Sequence, residues 1–216
     1  EYDDLRPKGV TNHISRMFIP DDPINNDQDF DVLISRIDSA LEQAVDRINT
    51  CNPDHIILGI SAESIWGGGI ETANKVKKRI FNRSGGKTVT IAADALLAAM
   101  KCYDISGKIG IITPYMPIAQ THLEKYISDI GYEVSSMVHL KCKSPVLIAS
   151  TPQDQIRSGI LKLIDDGATA IIQFGANLPM AHFACIAEKW LSIPVISVNV
   201  ATYWHALRTN QINDKI

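Results

Sequence analysis

Residues 168–178 read Ala-Thr-Ala-Ile-Ile-Gln-Phe-Gly-Ala-Asn-Leu, a short apolar run that breaks at a glycine and passes through small residues toward a helix. Residues 54–64, Asp-His-Ile-Ile-Leu-Gly-Ile-Ser-Ala-Glu-Ser, repeat that order of residue types. A run this short, bounded by turn residues and followed by helical periodicity, is the mark of a strand buried on both faces of a parallel sheet. A second pair fits without a gap. Lys87–Lys101 and Pro194–Arg208 each open as a short strand, pass small residues and continue as an apolar helix ending in a cation. The shared order and spacing predict two related halves facing one another.

The same grammar extends along the chain. Phe30, Leu33, Ile37, Leu41, Ala44 and Ile48 recur at three- and four-residue steps, which predicts one helix over 27–50 started by Asp27 or Asp29. After Asn52-Pro53 comes a strand His55–Ile60. Beyond Gly67–Gly69 a helix turns Ile70, Ala73, Val76 and Ile80 inward and leaves Lys75, Lys77, Lys78 and Arg79 to solvent. Gly85-Gly86 leads into strand Thr88–Ala92 and an alanine-rich helix to Met100. There follow strand Lys108–Thr113, helix 117–130 closed by a left-handed Gly131, strand Tyr132–Val138 and helix 152–166. Strand Thr169–Phe174, helix 179–191, strand Pro194–Val198 and helix 200–208 complete the alternation. Alternation of this kind predicts an α/β protein of parallel sheets flanked by helices with right-handed crossovers. We expect two pseudo-symmetric domains, 1–104 with 199–216 and 105–198, and a site in the cleft between them.

Composition narrows the function. The 216 residues are 45% hydrophobic and 21% charged with a net charge of −3, ordinary for a globular protein. Charges of both signs are interspersed, so no basic stripe offers itself to nucleic acid. The longest apolar runs are far shorter than the roughly 20 residues that span a bilayer, and no charged-then-apolar leader opens the chain. The expectation is a cytoplasmic protein without a membrane partner, with a homo-oligomer left open. Cys51, Cys102, Cys142 and Cys185 stand singly, with no zinc or disulfide spacing, and read as free thiols buried like small hydrophobes.

Ligands of open parallel sheets collect at the carboxyl ends of the strands, here the loops Gly59–Ser64 and Gly175–Met180. Two such ends, each leading into a helix N-terminus, suit an anion and a carboxylate above all. Trp66-Gly67-Gly68-Gly69 makes neither a dinucleotide fingerprint nor a phosphate-binding lysine motif, so it reads as a tight turn or a lid. No cofactor and no metal are expected.

The block Gln173-Phe-Gly-Ala-Asn-Leu-Pro-Met180, followed by Pro194-Val-Ile-Ser-Val-Asn-Val-Ala-Thr-Tyr-Trp-His-Ala-Leu-Arg208, resembles the aspartate/glutamate racemase superfamily. Within it the chain looks most like the branch of maleate cis-trans isomerase and arylmalonate decarboxylase. Lys108-Ile-Gly-Ile-Ile-Thr-Pro-Tyr115, Gly59-Ile-Ser-Ala62 and Gly9-Val-Thr-Asn-His-Ile-Ser-Arg16 agree. The resemblance implies a cofactor-independent lyase or isomerase that carries a small mono- or dicarboxylate through an enediolate. It implies Ser61 and Tyr115 as oxyanion donors, with Ile60, Ala62, Gly175, Ala176 and Asn177 lining the substrate. Ala62 stands where the family has a second hydroxyl, leaving a backbone N–H. Ile60 and Gly175 stand at the two places where the family carries cysteines, a departure that opens an alternative: a carboxylate-binding homologue without turnover. For Ser61 and Asn177 the structural alternative is a helix cap, and for Tyr115 a tyrosine at the core edge.

Weaker candidates remain. Glu63 is a replacement acid if burial raises its pKa, or else a solvated first-turn glutamate. His13 and Arg16 form a carboxylate-binding pair or a salt bridge, His182 and Cys185 a helix pair or core residues, and Cys142 a substitute thiol. His205 reads as a helix residue packed beside Trp204. The resemblance further implies about 15–20 residues upstream of Glu1, enough for a strand and a polar loop that holds a substrate carboxylate.

Overall fold

The computed structural model describes residues 1–65 and 69–216, with the backbone alone at Glu63 and Ser64. The expected turn at Trp66–Gly68 and the side chain of Glu63 therefore lie outside the described residues. The chain begins with an irregular segment held down by its own side chains. Tyr2 stacks on Tyr203 with ring centroids 5.0 Å apart, the Tyr203 hydroxyl donates to Asn12 (2.9 Å), and Ile24 N–H donates to the Lys143 carbonyl (2.6 Å).

Helices α1 (Asp27–Ser39) and α2 (Leu41–Asn49) replace the single helix expected over 27–50. The break falls at Ala40, whose N–H bonds three residues back to Ile37, and Ser39 Oγ donates to the Arg36 carbonyl. Both bonds draw backbone acceptors out of the regular ladder and tighten the turn. The cap at the start is Asn26, which accepts from Asp29 N–H, rather than Asp27 or Asp29.

Strands β1 (His55–Ile57) and β2 (Thr88–Thr90) pair in parallel, with the short helix α3 (Ser61–Ile65) and the long helix α4 (Ile70–Arg83) between them. Both strands are shorter than the apolar runs. Leu58 N–H still reaches the Thr90 carbonyl (3.0 Å), but the next residue on the partner side, Ile91, already caps α5 (Ala92–Cys102). Ala73, Val76 and Ile80 of α4 are buried as expected. Its basic face is not merely wet: Arg79 bonds Asp38 and Glu42, and Arg83 bonds Asp46, fastening α4 to α1 and α2.

Strands β3 (Ile109–Thr113), β4 (Val134–His139), β5 (Ala170–Gln173) and β6 (Val195–Ser197) form a second parallel sheet in the order β4-β3-β5-β6. Successive strands that run parallel require crossovers, supplied by α6 (Ala119–Asp129), by α7 (Pro145–Ile148) with α8 (Gln153–Asp165), and by α9 (Ala181–Leu191). Gly131 follows α6 at φ +89°, as the left-handed stop requires. The last helix, α10 (Val198–Thr209), leaves β6 and packs against α5, β1 and β2. The architecture is α/β, parallel sheets flanked by helices. One core runs from Ile56, Val89 and Leu96 across to Ile111, Leu123 and Ile172, while a second lies between the other face of the larger sheet and α8 and α9. No helix of the described residues is long and apolar enough to cross a membrane.

The cysteines differ from expectation. Cys51, Cys102 and Cys185 are exposed and Cys142 is half-buried. On α9 the buried residues are Ala184 and Ala187, so Cys185 and His182 fall on the open face.

A polar chain ties the smaller sheet to α10. His55 places Nδ1 2.8 Å from Thr88 Oγ1 and Nε2 2.8 Å from Thr90 Oγ1, and Thr90 Oγ1 is 3.1 Å from His205 Nδ1. Burial first, then the charges of His205 and Lys77, press the His55 pKa down to about 4 from 6.5. His55 is thus neutral when folded and binds a proton more readily when unfolded. Its contribution is complete above pH 6.5 and is lost as pH falls toward 4. Solvent still reaches the ring, so the expected loss is about 1–2 kcal/mol rather than the full equivalent of the shift. Urea unfolding of wild type and His55→Gln at pH 7 and pH 5 checks this: the gap between the two proteins should narrow at pH 5. An equal gap at both values contradicts it.

Candidate active site

The carboxyl ends of β1, β3 and β5 converge. The chain leaves β1 through Leu58-Gly59-Ile60 and enters α3 at Ser61, which is buried at 1% exposure. It leaves β3 at Thr113 and turns at Pro114-Tyr115, a turn pinned by Leu140 N–H to the Thr113 carbonyl (2.8 Å) and Cys142 N–H to the Pro114 carbonyl (3.0 Å). It leaves β5 at Gln173 and runs through Phe174 to Gly175, whose backbone sits at φ +100°.

These three ends meet in one hydrogen-bonded cluster. Ser61 Oγ lies 3.1 Å from the Tyr115 hydroxyl, and Gly175 N–H donates to Ser61 Oγ at 2.9 Å. Tyr115 is 5% exposed and its ring lies 5.1 Å from that of Phe30. Burial pushes the Tyr115 pKa up to about 12 against the smaller opposing pull of Ser61 and the Ala62 backbone. The phenol is therefore protonated, and a donor, at any physiological pH. The Gly175 N–H pointing into Ser61 Oγ polarises that hydroxyl and strengthens it as a donor in turn.

The remaining expected residues are arranged around this cluster. Ile60 is partly buried against the larger core, and Ala62 is buried beside Ser61. Ala176 is partly buried and Asn177 exposed. The Asn177 side chain donates to the Pro145 carbonyl (2.7 Å), and α9 is capped by Met180 without a side-chain bond. His13 and Arg16 are exposed in the N-terminal segment. Cys142 is held by Thr151 at 3.5 Å and burial raises its pKa, which works against a thiolate.

Three residues that periodicity does not single out also border the loop after β5. Gln173 is wholly buried and bonds the carbonyls of Phe174 and Gly175. Asn199 of α10 donates to the Ala176 carbonyl (2.8 Å) and to Glu1 Oε2 (2.5 Å), and Glu1 Oε1 accepts from Ala181 N–H (2.7 Å). The one signal in the sequence is a polar Gln inside the apolar run 170–174. Among the described residues no group of three or more His, Cys, Asp or Glu side chains is placed to hold a metal ion.

Comparison with known proteins gives a consistent fold. A family model described as arylmalonate decarboxylase matches residues 28–215. No curated protein sequence matches the chain. Maleate cis-trans isomerase from Nocardia farcinica, solved bound to TRIS, superposes with a TM-score of 0.77 at 19% identity, covering 88% of this chain and 77% of that one. Maleate isomerase from Pseudomonas putida gives 0.73 at 19% identity over 88% and 76% of the two chains. A crystal structure of arylmalonate decarboxylase gives 0.70 at 13% identity over 86% and 79%. At these identities the likeness speaks to the fold.

Proposed function

The chain belongs to the arylmalonate decarboxylase family, and from that premise we propose a cofactor-independent lyase or isomerase that carries a small carboxylate through an enediolate at the Ser61–Tyr115–Gly175 cluster. The observation that carries the reading is the bonding of Ser61 to both Tyr115 and the Gly175 N–H across the ends of three strands. An enediolate gathers negative charge on two oxygens as the carbon–carbon or carbon–hydrogen bond breaks. Donors fixed beforehand in a buried site stabilise that charge far better than mobile water does. Tyr115 O–H, Ser61 O–H and the backbone N–H groups of Ala62 and Ala176 are the donor set of this reading, with the Gly175 N–H acting through Ser61 Oγ and Asn177 and Ile60 on the rim. We further read residues 1–104 with 199–216 and residues 105–198 as the two halves, in keeping with the return of α10 to β1, β2 and α5.

A second reading follows from Ile60 and Gly175. The two places where the resemblance implies thiols carry an isoleucine and a glycine, neither of which has a side-chain proton to give. On this reading the chain binds a carboxylate and does not turn it over.

One experiment separates the two. The protein is incubated in D2O with phenylmalonate, maleate and a set of amino acids, and followed by proton NMR. The first reading expects α-deuteration, isomerisation or loss of CO2 from at least one of them. Binding without any of these changes supports the second, and no binding at all refutes both.

A further inference from the structure

The loop that follows β5 owes its shape to a buried amide. Gln173 is 0% exposed, and its Nε2 donates to two consecutive carbonyls, Phe174 (3.0 Å) and Gly175 (2.7 Å). Its Oε1 accepts from Ser197 Oγ (3.3 Å) and from the N–H of Val198 (3.2 Å), the first residue of α10. The orientation of the amide follows from these partners, since a flip would set its oxygen against two carbonyls and its NH2 against a backbone donor. Asn199, one residue further along α10, takes up the next carbonyl, that of Ala176. The carbonyls of residues 174 and 175 are thus drawn onto the Gln173 amide at the end of β5, and that of residue 176 onto the Asn199 amide of α10.

In a planar trans peptide the N–H points opposite to the C=O of the preceding residue. The Phe174 and Gly175 carbonyls meet the same nitrogen, so the N–H groups of Gly175 and Ala176 each point, divergently, to the side away from the Gln173 amide. The first of them reaches Ser61 Oγ, which fixes that side as the one facing Ser61 and Tyr115.

We propose that Gln173 is the positioning residue of the site: by holding the Phe174 and Gly175 carbonyls it keeps the Gly175 N–H on Ser61 Oγ and so fixes the Ser61 hydroxyl for the substrate carboxylate. The proposal rests on the functional reading above and names the group that pre-organises the site. Gln173 acts through the backbone and touches no reacting atom.

Two variants and one measurement on the unaltered chain test it, all on the full protein. Gln173→Met keeps the volume and removes both donor bonds; turnover of the substrate found in the NMR screen should fall about 100-fold, in line with loss of an oxyanion donor. Gln173→Glu puts a carboxylate against two carbonyls at neutral pH, and a carboxylic acid O–H restores one donor at low pH. Its activity per folded molecule, relative to wild type, should therefore rise as pH is lowered from 8 to 5, whereas a purely structural residue would change the folded fraction and not the activity per folded molecule. In wild type, saturation with malonate should further slow hydrogen exchange at the Gly175 amide, whose Ser61 partner the bound carboxylate fixes. The proposal is overturned by a folded Gln173→Met enzyme with wild-type turnover, by a Gln173→Glu activity that tracks the wild-type pH profile, or by unchanged amide exchange in saturating malonate. A wild type that neither binds nor converts any carboxylate defeats the functional reading itself and this proposal with it. An active wild type with unaffected variants defeats the proposal alone.

Discussion

Replacing Tyr115 by phenylalanine should lower turnover by about 100- to 1,000-fold while the protein stays folded, the range observed when one oxyanion donor is removed from a buried site. The substitution deletes a single oxygen. The ring remains to pack against Phe30, whose centroid is 5.1 Å away, so the local core keeps its volume. Ser61 loses the partner at 3.1 Å but keeps the Gly175 N–H, and the Ala62 backbone loses its bond to the phenol, so the structural cost is that of two buried hydrogen bonds, about 2 kcal/mol. Turnover should fall far more than that cost suggests, because the Tyr115 proton is held for charge that appears only as the substrate bond breaks. With its pKa near 12, Tyr115 does not itself titrate between pH 6 and 9, so any limb of the wild-type profile in that range should survive in the variant. Rates measured on the same substrate, with urea unfolding alongside, decide the matter. Turnover within twofold of wild type in a folded variant removes Tyr115 from the donor set.

How much of this was legible in the sequence depends on what periodicity can sense. Apolar spacing reports which face of an element is covered, and it located the long helices and strands β1, β3 and β5 to within a few residues. It does not report partners. Helix 27–50 looked continuous because the apolar stripe runs unbroken past Ala40, while the break is made by backbone and hydroxyl bonds at Ile37, Arg36 and Ser39. Cys185 looked buried because it neighbours the covered residues Ala184 and Ala187, yet one step around a helix is enough to bring a side chain into water. The cleft residues Ser61, Tyr115 and Gly175 were reachable from strand ends and from resemblance. Gln173, Asn199 and Glu1 were not, because their roles are set by contacts across 24, 23 and 198 residues of chain. A polar residue in an apolar strand marks that a partner must exist and says nothing of which one.

Gly175→Cys, which would return a thiol to the second of the two family positions, should destabilise the protein by about 2–5 kcal/mol. Two independent penalties add. A side chain at φ +100° costs about 1–2 kcal/mol for any L-residue other than glycine. The new Cβ would also overlap Cδ and Cγ of Pro114, ring atoms that cannot swing aside, and forcing atoms into a packed site costs about 1–3 kcal/mol more. Ile60→Cys makes the contrast. Ile60 lies against the core only in part, and the change removes volume without straining the backbone, so the cost there should be about 1–2 kcal/mol. Urea midpoints for the two single variants should therefore separate clearly, with Gly175→Cys the less stable. Gly175→Cys combined with Pro114→Ala should recover the overlap penalty but not the φ penalty. A Gly175→Cys protein within about 0.5 kcal/mol of wild type contradicts both terms, a difference larger than most surface substitutions produce. The physical point is that the thiol at residue 175 is excluded by the backbone and by Pro114 together. A proton donor for this site, if one is to be engineered, belongs at residue 60, where the space beside Ser61 accepts a side chain.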